Sequence, residues 1–227
     1  MKRLIWIWIF LIISSSWACR DRSPGVEENY LIRVGKETFT IEDFKRTFEL
    51  AKTAYPDEPV ADPENLFEIQ TRHLNEIIEE LILLARAKEL HLEISDQELE
   101  NAVWKIQKDY PDGSFEQTLI EKAICFSYWK ESLRIKLLKD RVIFEELEKN
   151  IIVRTEEIKE FYENHFDGTI VRPENEKKAM VLSQEIIRQL RKEKAKEQYP
   201  SWIKGLWIRY GVEFNETAWK KMMNYEL

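Results

Sequence analysis

The sequence predicts a mainly α-helical protein with a small β-hairpin near its N-terminus. Only 6 of the 227 residues are glycine and 7 are proline, too few for a turn-rich all-β sandwich or a largely disordered chain. Charged residues, many of them Glu and Lys, make up 34% of the chain, as is typical of long amphipathic helices. The 44% hydrophobic content is enough for the core of one or two domains.

The overall composition counts against several classes of function. The formal charge is −7, and it becomes −9 without residues 1–18, because Lys2 and Arg3 are lost. An acidic chain is a poor partner for nucleic acid, whose phosphates need a basic surface. Two cysteines and three scattered histidines do not form a disulfide framework or a zinc site of ordinary spacing. The six glycines never cluster into a phosphate loop. From these observations together we expect no metal and no cofactor.

Residues 1–18 have the layout of a signal peptide. A basic start, Met1 to Arg3, precedes an apolar run over residues 4–13, and small residues follow. The apolar run is shorter than the about 20 residues that a membrane-spanning helix needs. Export is therefore predicted.

Cys19 directly follows Ala18, and this pair resembles the lipobox of bacterial lipoproteins, in which the cysteine thiol receives a diacylglyceryl group. The match is imperfect because Ser16 stands where Leu is common and Trp17 is bulky. Ordinary cleavage after Ala18, or an uncleaved anchor, are the alternatives. The resemblance implies a lipid-anchored protein on the periplasmic side of the bacterial envelope. Arg20 after the cysteine favours the outer membrane over the inner membrane.

The next segments predict a tether and then a hairpin. Residues 19–29 are polar and interrupted by proline and glycine, which is typical of a flexible linker. Residues 30–34 and 37–39, on either side of Gly35-Lys36, predict a small hairpin that turns at the glycine. Thr40, with Asp43 three residues on, predicts a helix N-cap.

Helical spacing of apolar residues continues to the C-terminal region. We predict a helix after Thr40, a loop over residues 55–63, helices at about 64–90, 95–109, 114–122, 127–149, 155–165 and 174–199, a segment over 202–210, and an extended segment at 212–214. Ser95 and Ser114 are predicted to open capping boxes, and Ser127 is predicted to cap its helix. Phe144 is predicted to point inward from that helix.

Three local patterns carry a family resemblance. They are the helix start over residues 94–99, the turn from Tyr110 to Phe115, and the helix start over residues 155–158 followed by Phe161-Tyr162. Their order and spacing resemble the N-terminal chaperone domain of SurA-type proteins, which include the PrsA-like and PpiD-like periplasmic foldases. The resemblance covers residues 30–165 and resumes over 192–215.

The resemblance implies a domain organisation. Residues 30–165 form the helical domain, residues 166–173 form a short linker where a parvulin-type prolyl isomerase domain is inserted in the relatives, and residues 174–227 supply a helix and strand that pack back on the same domain. The C-terminal strand is expected to join the hairpin. A parvulin site uses paired histidines, whereas His73, His91 and His165 stand in separate helical elements here. We therefore expect no isomerase and no other enzyme.

The function that the resemblance implies is an ATP-independent holdase for unfolded or nascent exported and outer-membrane polypeptides, with no small-molecule substrate. The alternative is a structural lipoprotein that docks on one export or secretion complex. The candidate client-binding residues are Tyr110, Phe115, Trp104 and Trp129. Tyr110 and Phe115, near a turn, are the better surface candidates, since most aromatic residues at helical spacing are expected in the core. Trp202 and Trp207 are expected to hold the terminal helix against the body.

Two further features are expected to be structural. Cys125 stands among apolar residues, and free cysteines in such surroundings are usually buried and inert. The carboxylates at residues 79–80 and 145–148 resemble acid-base pairs but are expected to be solvated helix faces.

Overall fold

The computed structural model describes residues 30–52, 63–111, 113–165 and 176–225. The predicted signal peptide, the tether with Cys19, nearly all of the loop predicted at 55–63, and the linker at 166–173 lie outside these residues. No helix among the described residues is both long and apolar enough to cross a membrane.

The small sheet has three antiparallel strands in the order β2-β1-β3. Strands β1 (Tyr30–Val34) and β2 (Glu37–Thr40) form the predicted hairpin, which turns at Gly35 with a φ of 60°. Strand β3 (Glu213–Phe214) pairs with β1, and Ile32 lies opposite Phe214. The expectation that a C-terminal strand joins the hairpin is thus confirmed.

The rest of the described chain is helical, which confirms the predicted class. The α-helices are α1 (Ile41–Lys52), α2 (Pro63–Glu89), α3 (Asp96–Gln107), α4 (Ser114–Glu121), α5 (Phe126–Glu146), α6 (Thr155–His165), α7 (Glu176–Tyr210) and α8 (Glu216–Tyr225). A short 3₁₀ turn, Glu148–Asn150, separates α5 from the extended segment before α6.

The main core lies where the sheet meets α1, α2, α8 and the end of α7. Its buried residues include Leu31 and Ile32 of the sheet, Phe44 of α1, Ile82 of α2 and Trp219 of α8. Trp219 meets Phe44 edge to face, with ring centroids 5.3 Å apart. Because residues distant in sequence share this core, the C-terminal helices are part of the same body as the hairpin.

A second, smaller core joins α3 to α5. Leu99 and Val103 of α3 pack with Leu133 of α5. Arg134 adds a hydrogen bond from its guanidinium to the Ile94 carbonyl at 2.8 Å and an ion pair to Asp96. Helices α3, α4 and the first half of α5 therefore form an arm that is anchored to the body through α5.

The predicted N-caps have mixed outcomes. Thr40 and Ser95 are confirmed as caps: the Asp43 amide donates to Thr40 Oγ1 at 3.1 Å, and the Glu98 amide donates to Ser95 Oγ at 3.3 Å. The other two are wrong. Ser114 is already helical and its hydroxyl donates to the Pro111 carbonyl, with Gly113 as the N-cap. Cys125, not Ser127, is the N-cap of α5.

The helix predicted to end at about Tyr199 runs on to Tyr210 as α7, with Pro200 inside it. An internal proline removes one backbone hydrogen bond and costs about 3 kcal/mol. The residues just beyond it offset that cost because Trp202, Ile203 and Leu206 pack into the cores. Local helix signals do not contain this tertiary contribution.

Three helices end in the same backbone motif. After α2, the Leu92 amide donates to the Ala87 carbonyl, and His91 has a φ of 54°. After α4, the Ile124 amide donates to the Leu119 carbonyl, and Ala123 has a φ of 53°. After α7, Gly211 takes the same left-handed position. This pattern is the Schellman motif, in which glycine is the preferred residue.

Candidate functional site

An open groove lies between α1, α2 and α5, with a volume of about 540 Å³. This size is within the range of sites that take small ligands or a few side chains of a peptide. The groove is lined by Thr47, Leu50, Ala51, His73, Glu76, Ile77, Glu80, Ile124, Tyr128, Glu131, Ser132, Ile135 and Lys139.

The apolar part of the groove comes from all three sides. Helix α1 supplies Leu50, α2 supplies Ile77, and α5 supplies Tyr128 and Ile135. Tyr128 is 47% exposed, so nearly half of this large aromatic residue is open to solvent. An apolar surface of this kind is suited to desolvating an apolar side chain of a partner.

The rim of the groove is mostly acidic. Glu76, Glu80 and Glu131 carry negative charge, and Lys139 is the cation among the lining residues. Lys139 Nζ lies 2.7 Å from Glu80 Oε2, so α5 is tied to α2 across the groove. The rim therefore favours a partner segment that is neutral or basic rather than acidic.

His73 lies at the base of the groove. Its Nε2 is 3.1 Å from Thr47 Oγ1, and its ring is 5.5 Å from that of Phe44. Burial lowers the pKa of His73, against an opposing effect of Glu76. The imidazole is accordingly neutral at pH 7, and it serves as a polar link between α2 and α1.

The turn after α4 also contributes to the lining of the groove. The left-handed Ala123 turns the chain sharply, so that Ile124 reaches the groove and α5 begins two residues later. The position of Tyr128 on the first turn of α5 depends on this turn.

Three of the four predicted client-binding residues, Tyr110, Phe115 and Trp129, lie together in one aromatic cluster, in which Tyr110 is 40% exposed, as expected of a surface residue. Phe115 meets Trp129 edge to face at 4.8 Å and Tyr110 at 5.4 Å. Phe126 stacks on Trp129 at 5.8 Å. Phe115 is only 5% exposed, so the expectation that it is a surface residue is wrong. It is buried because it lies on the face of α4 that is directed at the start of α5.

Trp104 lies apart from this cluster. It is 62% exposed on α3, with Lys108 Nζ 5.4 Å from its ring centre. The buried residues of α3 are Leu99 and Val103, which share one face of the helix. Residue 104 lies on a neighbouring face that is directed away from this core. The expectation that most aromatic residues lie in the core therefore fails for Trp104.

The other tryptophans follow the expectation in part. Trp219 is buried and Trp202 packs against three cores, whereas Trp207 is partly exposed. Trp202 therefore holds α7 against the body as predicted.

Two more expectations need correction. Cys125 is exposed rather than buried, at the N-cap position of α5. Its Sγ lies 3.1 Å from Ser127 Oγ, and this contact lowers the pKa of the thiol. Glu146 is not on a solvated face, since it accepts two hydrogen bonds from Arg86 of α2.

Phe144 also differs from its predicted inward position. It is 46% exposed, because it lies on a different face of α5 from the buried Val142. Sequence reasoning missed the groove residues Tyr128 and Ile135 as well. Their signal is present in α5: residues 128, 132, 135 and 139 share one face, distinct from the face of the buried Leu133.

Within the part of the chain that the structure describes, no group of three His, Cys, Asp or Glu side chains is placed to hold a metal ion. The groove offers apolar surface, hydrogen-bonding groups and charge.

Comparison with known proteins gives one family. A family model described as "SurA-like N-terminal domain" matches residues 1–132, which is more than half of the chain. No curated protein matches the sequence.

Proposed function

The chain belongs to the family of SurA-like N-terminal domains, which are chaperone domains of bacterial periplasmic proteins, and from this premise we propose that it is an ATP-independent holdase for unfolded exported and outer-membrane polypeptides. In this role it binds without chemistry. Apolar side chains of an unfolded chain are shielded until that chain folds or inserts.

The groove between α1, α2 and α5 is the observation that carries this proposal. It is open to solvent, its apolar wall includes Tyr128 and Ile135, and its rim is charged. An open groove accepts an extended chain without ordering its whole length, so the entropic cost of binding stays small. Several weak contacts of this kind allow rapid release, which a holdase needs.

The proposed role requires no nucleotide and no isomerase. Helix α6 ends at His165 and α7 begins at Glu176, so ten residues separate them. This is far below the about 50 residues of a small domain. The part of the chain where the relatives carry a parvulin domain therefore has no room for one, and we propose a chaperone without isomerase activity.

Attachment to the membrane through a lipid on Cys19 completes the proposal. The support is the sequence pattern before and after that residue, with the outer membrane favoured. Anchoring would keep the groove near the surface where client chains emerge or insert. In cells, Cys19→Ala should abolish labelling of the protein with a fatty-acid analogue, because it removes the thiol that receives the lipid. Retention of the label would contradict lipidation at Cys19.

The holdase role is tested by aggregation. The chain from Arg20 onward retains every described element, and it should suppress aggregation of a denatured outer-membrane porin in a dose-dependent manner. Tyr128→Ala combined with Ile135→Ser should weaken suppression, because both side chains line the groove. Ile152→Ala, which removes an exposed isoleucine outside the groove, is the matched control.

Folding of each variant is checked by circular dichroism. Equal suppression by the groove variant and the control would contradict the role of the groove. Failure of the well-folded parent to protect any client would overturn the holdase proposal. It would favour a lipoprotein that docks on one folded partner, which pull-down experiments would then identify.

A further inference from the structure

A second cleft lies between α5 and α7. Its volume is about 610 Å³. It is lined by Lys136, Asp140, Ile143, Phe144, Glu148, Arg188, Lys192, Ala195, Lys196 and Tyr199. None of these residues lines the first groove.

The floor of this cleft is apolar. Ile143 packs against a core, Ala195 is buried, and the ring of Tyr199 packs on Trp202 at 5.6 Å. Phe144 lies on the same lining with nearly half of its side chain exposed. An exposed phenylalanine in a concave site is a suitable contact for an apolar side chain of a partner.

The rim of the cleft is basic, unlike that of the first groove. Four cationic side chains and two carboxylates line it. Lys136 is paired with Asp140 at 2.6 Å, and Arg188 is paired with Glu185. Lys192 and Lys196 are exposed one turn apart on α7, and neither has an ion pair or a side-chain hydrogen bond to another described residue.

We propose that the cleft between α5 and α7 binds acidic polypeptide segments that carry an apolar or aromatic side chain. The apolar side chain contacts Phe144, and the acidic groups pair with Lys192 and Lys196. The proposal deepens the polypeptide-binding role given above and rests on it. It adds a second subsite whose charge preference is opposite to that of the first groove.

A polypeptide fits the cleft better than an anionic membrane surface does. The site is concave, whereas a lipid surface meets flat or convex faces. Asp140 and Glu148 also line it and would repel a continuous layer of anionic headgroups. A peptide can place acidic side chains beside the lysines and an apolar side chain on the floor.

The two sites are close enough for one client segment. Ile135 of the first groove and Ile143 of the second cleft stand eight residues apart on α5, which corresponds to about 12 Å along the helix axis. An extended chain of about ten residues spans roughly 33 Å and can reach both sites. One segment with basic and acidic ends would then be held at two points, which strengthens weak contacts.

The test uses the chain from Arg20 onward, which lacks Cys19 and retains every described element, and two fluorescent peptides of about ten residues, long enough to cross the cleft. One peptide carries Asp and Ser around a central Phe, and the other has Lys in place of Asp. Fluorescence anisotropy should show that the acidic peptide binds with an affinity that falls as salt is added. The Lys peptide is favoured by the acidic rim of the first groove, so its binding should not depend on the residues of the second cleft.

Lys192→Glu combined with Lys196→Glu should weaken binding of the acidic peptide by about tenfold or more, because two attractive charges become repulsive. Phe144→Ser should weaken the same peptide while leaving the surface charge unchanged. Lys204→Glu combined with Lys221→Glu makes the same change in net charge at exposed lysines outside the cleft, and this control should alter binding by less than about twofold.

Unchanged binding of the acidic peptide to the Lys192/Lys196 variant would overturn the proposal. So would loss of binding to phosphatidylglycerol vesicles in that variant while the parent binds no acidic peptide, because the cleft would then recognise lipid. Porin aggregation measured on the same proteins separates the two proposals. If the parent protects porin from aggregation but binding of the acidic peptide does not change in the Lys192/Lys196 variant, the second cleft alone is rejected. If the parent does not protect porin, the holdase role is rejected.

Discussion

The guanidinium of Arg86 donates two hydrogen bonds to the carboxylate of Glu146, from Nε at 2.7 Å and from an Nη at 2.5 Å. Arg86 lies on α2 and Glu146 on α5, the two long helices that form opposite sides of the groove. Their side chains are 12% and 19% exposed, so the pair is largely removed from water. The hydrogen bonds of Arg86 raise its pKa and keep it charged. This contact fixes the separation of the two helices at one end of the groove.

Glu146→Ala should lower the free energy of unfolding by about 2–4 kcal/mol, because it leaves a poorly solvated arginine without its main partner. Urea denaturation monitored by tryptophan fluorescence measures this change. The double variant Arg86→Met with Glu146→Leu should recover most of the lost stability, since it removes both charges. If the single and double variants were equally unstable, packing rather than the ion pair would hold the helices together.

Glu89 extends this contact to α7. The Tyr210 hydroxyl, with help from Arg86 and Arg209, lowers the pKa of Glu89 to about 2. The unfolded chain takes up this proton near the ordinary value of 4.5, before the folded chain does. The contribution of Glu89 to stability is therefore complete above about pH 5 and is lost as the pH falls toward about 2.

Glu89→Gln should lower stability at pH 7 and reduce the decrease in stability between about pH 5 and 2. Urea midpoints measured across that range test this expectation. Glu121→Gln, which changes an exposed carboxylate of α4, is the control and should leave the acid profile of the parent intact. An unchanged profile for Glu89→Gln would mean that other carboxylates account for the acid sensitivity.

Phe115→Ala should destabilise the arm by about 3–5 kcal/mol, because it removes a buried ring that contacts Tyr110, Phe126 and Trp129. Tyr110→Ala, at the more exposed edge of the cluster, should cost less. Thermal unfolding followed by near-ultraviolet circular dichroism distinguishes them. A fully stable Phe115→Ala variant with reduced client binding would instead assign Phe115 to the binding surface, as its position near a turn first indicated.

His91→Gly and Ala123→Gly should each raise the free energy of unfolding by about 0.5–1 kcal/mol, because a side chain with Cβ is strained at a φ near +54°. Gly211→Ala, at the equivalent position after α7, should have the opposite effect. Urea midpoints compare the three. Destabilisation by either glycine would mean that side-chain contacts of the residue replaced outweigh backbone strain.

Local signals in the sequence were sufficient for much of the fold. The strands around Gly35, the capping box at Ser95 and the helix start at Thr155 depend on neighbours within a few residues, and each lies where it was predicted. The joining of β3 to the hairpin is a long-range contact, and the order of motifs along the chain, rather than periodicity, indicated it.

The remaining features depend on contacts between distant elements. The helix continues through Pro200 because residues after it reach two cores, and Phe115 is buried because α4 folds onto the start of α5. The groove requires α1, α2 and α5 together, so no single stretch of sequence defines it. Tyr128 and Ile135 share a face of one helix, but only the packing of α2 shows that this face borders a groove.

Site-specific photo-crosslinking shows whether clients lie in the groove between α1, α2 and α5. A photoreactive amino acid is placed at position 128 or 135, or at the exposed control position 152, and the protein is mixed with unfolded porin and with a second, unrelated exported polypeptide. Both clients should crosslink from positions 128 and 135, an excess of unlabelled unfolded chain should compete with them, and position 152 should give little product. Equal crosslinking from position 152, or crosslinking to one folded partner alone, would contradict the proposed role of the groove.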